Sequence, residues 1–168
     1  MNKEIPFVAI MMGSDSDFPT LEATKDVLRK LGVPFELKIT SAHRTPEATH
    51  NYVREADARG CAVFIAAAGL AAHLAGSVAG LTCKPVIGIP INTGPLQGVD
   101  ALLSTVQMPS GVPVATVAIG RTGAKNAGYL AAQIMGLSNP VLAERLWKVR
   151  NAAAETIRMK DAALHREG

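Results

Sequence analysis

Residues 61–67 read CAVFIAA, an uncharged apolar run between Gly60 and Gly69. The run is short and continuous rather than alternating, which is the pattern of a strand covered on both faces. Strands of that kind belong to parallel sheets, whose crossover helices provide the cover. Upstream, IPFVAIMM (5–12) is a second such run, stopped by Gly13 and the polar loop GSDSD (13–17). Phe35–Thr40, Lys84–Ile89 and Pro113–Ile119 are the other candidate strands, with Pro85 marking a strand start. Between them lie helical signals. Pro19 suits a first helical turn, Leu21, Val27, Leu28 and Leu31 supply the apolar stripe, and Gly32 ends it. Thr45 and Pro46 read as N-cap and first residue of a helix reaching about Arg59. Small residues predict a helix over Leu70–Leu81, followed by Val99–Val106 beyond a polar loop at Asn92–Gly98. An Ala-rich helix is expected over Gly123–Met135, stopped by Gly136. Asn139-Pro140 opens the last helix, where Leu142, Leu146, Val149, Ala153 and Ile157 share one face.

Five strands alternating with helices in 168 residues imply a single α/β domain over residues 1–168. The expected architecture is a flavodoxin-like, three-layer α/β/α fold with a five-stranded parallel sheet in order 2-1-3-4-5. An extra C-terminal helix is expected over about 139–160, with a frayed tail to residue 168.

Composition narrows the function. Hydrophobic residues are 48% of the chain and charged residues 18%, against about 25% charged in a typical domain. Disorder is excluded, and no uncharged apolar run approaches the roughly 18 residues of a membrane helix. The opening residues lack the cleavage site of a signal peptide. Cys61 and Cys83 sit in apolar stretches, so a reducing, cytoplasmic compartment fits better than a disulfide framework. A net charge of +3 with seven aromatic residues and no basic run argues against nucleic acid as a partner. It suits an anionic small molecule instead. Only four charges, Lys84, Asp100, Arg121 and Lys125, fall between Cys61 and Pro140. That stretch reads as buried sheet and as subunit interface, because large exposed apolar area is rare on monomers. The Ala-rich helix is assigned to the interface.

In a sheet of this order, ligands bind beyond the carboxyl ends of the strands, where the order reverses. The loops GSDSD (13–17), SAHRTP (41–46) and AAGLAAHLAG (67–76) therefore converge. Gly13 and Ser14 before a helix read either as an anion site or as a plain cap. The acids Asp15 and Asp17 beside them fit a sugar phosphate better than phosphate alone. His43-Arg44 pairs a proton-transfer group with a fork of donors for phosphate or carboxylate; the alternative for His43 is an exposed loop histidine. His73 falls inside the expected Leu70–Leu81 helix, where a core or interface histidine is the commoner outcome. No metal-ligand spacing or nucleoside-triphosphate loop is present. A response regulator needs an acid after strand 3, where Ala66-Ala67-Ala68 stands, and the aromatics of a flavin site are missing from the loops.

With MGSDSD, SAHRTP, AGLAAHLAG, GVDALLSTVQMPSGVPVATVAIG and GAKNAGYLAAQI in order from Met12 to Ile134, the chain resembles the N5-carboxyaminoimidazole ribonucleotide mutases of purine (IMP) biosynthesis. The resemblance implies an isomerase without cofactor or metal that moves a carboxylate from the exocyclic nitrogen of the aminoimidazole to ring carbon 4. It implies a cytoplasmic homo-octamer acting on a ribonucleotide. It assigns His43 as the general acid/base and places substrate contacts at Gly13, Ser14, Asp17, Ser41, Ala42 and Arg44. Gly69, Ala71, His73 and Leu74 fall where the family lines the pocket for base and carboxylate. The alternatives are the related direct carboxylases, in which a Lys follows the histidine, and a non-catalytic nucleotide-binding module. Two departures from the mutase pattern stand out: Leu70 and Ala75 occupy positions where that loop usually has Gly and Pro.

Overall fold

The structure, a computed structural model, describes residues 5–165. The strands are β1 (Phe7–Met12), β2 (Phe35–Ile39), β3 (Cys61–Ala68), β4 (Val86–Pro90) and β5 (Ala115–Thr116). The helices are α1 (Phe18–Leu31), α2 (Pro46–Ala58), α3 (Leu74–Ala79), α4 (Val99–Val106), α5 (Gly120–Gly136) and α6 (Pro140–Leu164). All strand pairs are parallel and the order is β2-β1-β3-β4-β5, the flavodoxin-like arrangement expected from the alternation.

The side-chain period of two explains why the inner strands carry no polar residues. Val8, Ile10 and Met12 of β1 join Ile65 of β3 and Ile87 of β4 under α1 and α5. Ala9 and Met11 point the other way, with Phe64 and Ala66, onto α2 and α3. Both faces are therefore apolar, and a charge on either would be desolvated. α1 and α5 lie close together: Thr24 Oγ1 donates to the Ala124 carbonyl at 2.7 Å, and Gly128 faces Val27 and Thr24.

Several boundaries differ from expectation for identifiable reasons. The strand expected over Pro113–Ile119 shrinks to two laddered residues. Pro113 has no N–H to give, and after Val117 donates to the Gly88 carbonyl the chain turns into α5 through Gly120, at φ 71°. α3 begins at Leu74 rather than Leu70, because Leu70 adopts φ 56° and breaks the helical path. Thr45 does precede α2, but its hydroxyl makes no bond to the helix; it accepts from the Ser41 N–H instead. Asn139 is a true cap, its Oδ1 accepting from Leu142 N–H at 3.1 Å.

The alanines of the Ala-rich helix, expected at a subunit interface, face inward. Ala124, Ala127, Ala131 and Ala132 are fully buried inside the subunit, where short side chains let α5 approach α1 and the sheet. Part of the unpartnered apolar surface of the charge-poor stretch lies on α4 and the loop before it. Leu96, Val99, Leu103 and Val106 are each 45% or more exposed, at helical spacing. α6 also runs longer than expected, to Leu164, through a sequence rich in helix formers with a Glu155–Arg158 pair. Its residues from 151 to 165 are all exposed, and residues 166–168 of the expected frayed tail lie outside the described residues.

At Gly128 a Cβ would sit 3.0 Å from Val27 Cβ and 3.1 Å from the Thr24 carbonyl oxygen. Gly128→Val should overpack this crossing and cost about 1–3 kcal/mol. Thermal unfolding should report a melting temperature lower by several degrees, with no loss of helix in far-ultraviolet circular dichroism.

Candidate active site

β1 and β2 run side by side, as do β1 and β3, so the chain leaves the carboxyl end of β1 toward one face and that of β3 toward the other. The crevice between holds the loops 13–17, 41–46 and 68–74. The first loop is a single 3-10 turn, Asp15–Asp17, wedged between β1 and α1. Ser14 caps it, its Oγ accepting from the Ser16 N–H at 3.3 Å and the Ser16 hydroxyl at 2.9 Å. Gly13 N–H is tied to the Ala67 carbonyl at 3.2 Å, which fixes the first loop against the third.

The second loop is shaped by hydroxyls. Thr40 and Thr49 share a buried bond of 2.7 Å, and Thr45 Oγ1 accepts from the Ser41 N–H at 2.9 Å. Ser41 Oγ accepts from the Arg44 N–H at 3.1 Å. With its backbone held from beneath, the loop turns the side chains of His43 and Arg44 outward, both exposed. Arg44 swings toward the first loop, its guanidinium 3.5 Å from the Gly13 carbonyl.

His73 is not a core histidine. Because α3 starts late, His73 sits at its N-cap, exposed, with Nδ1 2.7 Å from His43 Nε2. The rings meet edge to face, with centroids 4.8 Å apart. A hydrogen bond between two imidazole nitrogens holds one proton between them, so each ring fixes the tautomer of the other.

All eleven residues expected at the site line one cavity of about 510 Å³. Ser16, Ala68 and Leu70 of the same loops line it too, and Thr93, from outside them, was not anticipated. Thr93 follows β4, which the sheet order sets beside β3; the topology alone would have brought the Asn92–Gly98 loop to this end. The approach is close: a Cβ on Gly69 would fall 2.1 Å from Thr93 Oγ1. The cavity is two-sided, with Ser14, Asp17, Ser41 and Arg44 on one wall and the Ala68–Ala71 stretch on the other. Asp17 is 5% exposed, and burial pushes its carboxyl above the usual carboxylate range, with the charge of Asp15 adding and bonds from Ser14 and Ser16 opposing. A larger groove, about 670 Å³, lies between α5 and α6, but its lining is apolar and Arg150 is its one charged residue among the described residues. The smaller cavity is the one that gathers both histidines, Arg44 and Asp17. Among the described residues no group of three His, Cys, Asp or Glu is placed to hold a metal ion.

An α/β sheet with a polar wall carrying Arg44, a histidine pair and an apolar wall at its switch point has the layout of a small-molecule enzyme. Residues 7–156 match the AIR carboxylase family model, and the chain belongs to that family. The N5-carboxyaminoimidazole ribonucleotide mutase of Synechocystis is 52% identical over 168 residues, covering 100% of this chain and 94% of that one. The mutase of Pseudomonas aeruginosa is 52% identical over 150 residues, 89% of this chain and 92% of that one. The crystal structure of Treponema denticola PurE superposes with a TM-score of 0.87 at 31% identity, covering 95% of this chain and 98% of that one.

A carboxyl held above its ordinary range costs stability where it must ionise. The native state then holds its proton to higher pH than the unfolded chain, so stability falls as pH rises between the unfolded and folded values. Asp17→Asn should therefore raise the melting temperature of the unliganded protein at neutral pH and flatten its decline above the acid range. The same change should weaken ribonucleotide binding about 10- to 150-fold, the worth of a hydrogen bond to a charged group; calorimetric titration beside thermal melts checks both.

Proposed function

We propose that this protein is an isomerase that converts N5-carboxyaminoimidazole ribonucleotide to 4-carboxy-5-aminoimidazole ribonucleotide in purine biosynthesis. The observation that carries this reading is the His43–His73 pair, set between a polar wall carrying Arg44 and an apolar one. The identity to mutases over nearly the whole chain supports it.

Arg44 and the N–H groups of the first loop hold the phosphate. Asp17 accepts from the ribose hydroxyls. The aminoimidazole then faces His43 and the wall of Ala68, Gly69, Leu70 and Ala71. An N-carboxylate loses carbon dioxide readily when its charge is poorly solvated, and this wall offers no cation to stabilise it. As the nitrogen–carbon bond breaks, its electron pair stays on nitrogen, which takes a proton from His43. Carbon 4, nucleophilic as the enamine carbon, attacks the carbon dioxide retained beside it. The extra proton on carbon 4 passes back to His43 and restores the aromatic ring. Protons and charge balance over the cycle, and the histidine ends as it began.

The assembly belongs to the same proposal: a homo-octamer, with the exposed stripe Leu96, Val99, Leu103 and Val106 as an interface. The free Cys61 and Cys83 suit a reducing cytoplasm. No helix among the described residues is long and apolar enough to cross a membrane.

His43→Asn should fold and bind ribonucleotide while turnover drops about 10²- to 10⁴-fold. The assay supplies N5-carboxyaminoimidazole ribonucleotide without ATP or metal and follows product absorbance; near-normal turnover would sink the acid/base role. Sedimentation equilibrium should give about eight times the 17.6 kDa subunit mass, and a mass near one subunit would remove the α4 interface.

A further inference from the structure

Leu70 combines features that ordinary packing does not explain. Its backbone has φ 56°, a left-handed conformation that among the described residues only Gln97 shares without being glycine. Such a conformation is uncommon for a Cβ-bearing residue and persists where the surroundings impose it. They do so here. Ser104 on α4 accepts from the Ala72 N–H at 3.2 Å, and its hydroxyl lies 3.4 Å from the Leu70 carbonyl. The loop is thereby pinned at Leu70 itself and at Ala72, two residues on. Yet the side chain that this strained backbone presents is 52% exposed, so it is not held there to fill a core. It lines the cavity, and it is the one large apolar side chain there that is not buried, since Leu74 is 2% exposed. Its tip meets Gly94, the neighbour of the cavity-lining Thr93: a Cβ on Gly94 would fall 2.4 Å from Leu70 Cδ2. Gly94 itself has φ 75°, and its bare backbone makes room for the leucine.

Resting on the mutase reading above, we propose that Leu70 is a specificity-determining lip. It bridges the third loop to Gly94 and closes the apolar end of the cavity over the migrating carboxylate. The lip retains carbon dioxide after the nitrogen–carbon bond breaks and keeps water from replacing it. Without the lip the same bond breaks and the nitrogen takes the same proton. The carbon dioxide then departs, leaving aminoimidazole ribonucleotide in place of the carboxylated product. The leucine acts by enclosure and touches no proton, so its removal should change where the carboxylate goes more than whether the substrate binds.

The experiment compares the full-length wild type with Leu70→Gly and Leu70→Ala. Each turns over N5-carboxyaminoimidazole ribonucleotide in buffer containing isotopically labelled bicarbonate. Two quantities are read: the fraction of product lacking a carboxylate, and the label in the carboxylated product. Both should rise severalfold in both variants, with the sedimentation mass unaltered. Leu70→Gly, relieved of the left-handed strain, should melt at or above the wild-type temperature, so a failure to fold is not expected. A leak in Leu70→Gly but not in Leu70→Ala would trace the effect to the backbone and overturn the lip. So would wild-type partition and label in both variants, or a leak that appears only with a smaller assembly. A wild type that does not turn over the substrate would overturn the mutase reading and the lip with it, whereas active variants without a leak would remove the lip alone.

Discussion

The hydrogen bonds that β1 makes to β2 on one side and to β3 on the other constrain everything else in this structure. Both ladders are parallel, so each return of the chain needs a crossover, and right-handed crossovers send α1 to one face and α2 to the other. The loops at the carboxyl end of β1 and its neighbours then part, and the gap between them is the cavity. No side chain has to be excluded to make this gap, because the topology leaves it open. What the sequence supplies is the lining: small residues where walls meet, and polar ones where a ligand must be held.

That lining is stiffened by backbone N–H groups and hydroxyls rather than by ion pairs. The Thr40–Thr49 bond is buried, Ser14 and Ser41 each take a backbone N–H of their own loop, and Ser104 on α4 takes that of Ala72 in the third loop. Hydroxyls are short, so they fix a loop without reaching into the space the ligand needs. Surface ion pairs such as Arg59–Glu36, with Tyr52 donating to the same carboxylate, lie away from the cavity on β2 and α2. They hold Glu36 below the usual carboxylate range and fasten an edge strand to its helix.

Much of this was legible in the residues. Continuous apolar runs stood for buried parallel strands, and glycine at Gly32 marked a left-handed helix end, found at φ 68°. The convergence of the first three loops followed from strand order alone. The failures have a common cause, which is that local pattern cannot see tertiary contact. Small residues from Leu70 to Leu81 read as one helix, but pinning by Ser104 imposes a left-handed turn and frees His73 to meet His43. Alanines in α5 read as subunit contact because they lack charge, but their shortness also admits a close helix–helix approach within the subunit. The Pro113–Ile119 run has strand composition, yet only two of its residues stay long enough beside β4 to pair.

α4 is two turns of helix with two audiences. Ser104 looks inward and is the beam from which the wall around Leu70 and Ala72 hangs; Val99, Leu103 and Val106 look outward. Whatever settles on the outer stripe bears on that beam, and whatever strains the wall is felt on the stripe. A partner seated on that stripe would thus press on the same short rod that carries the chamber wall.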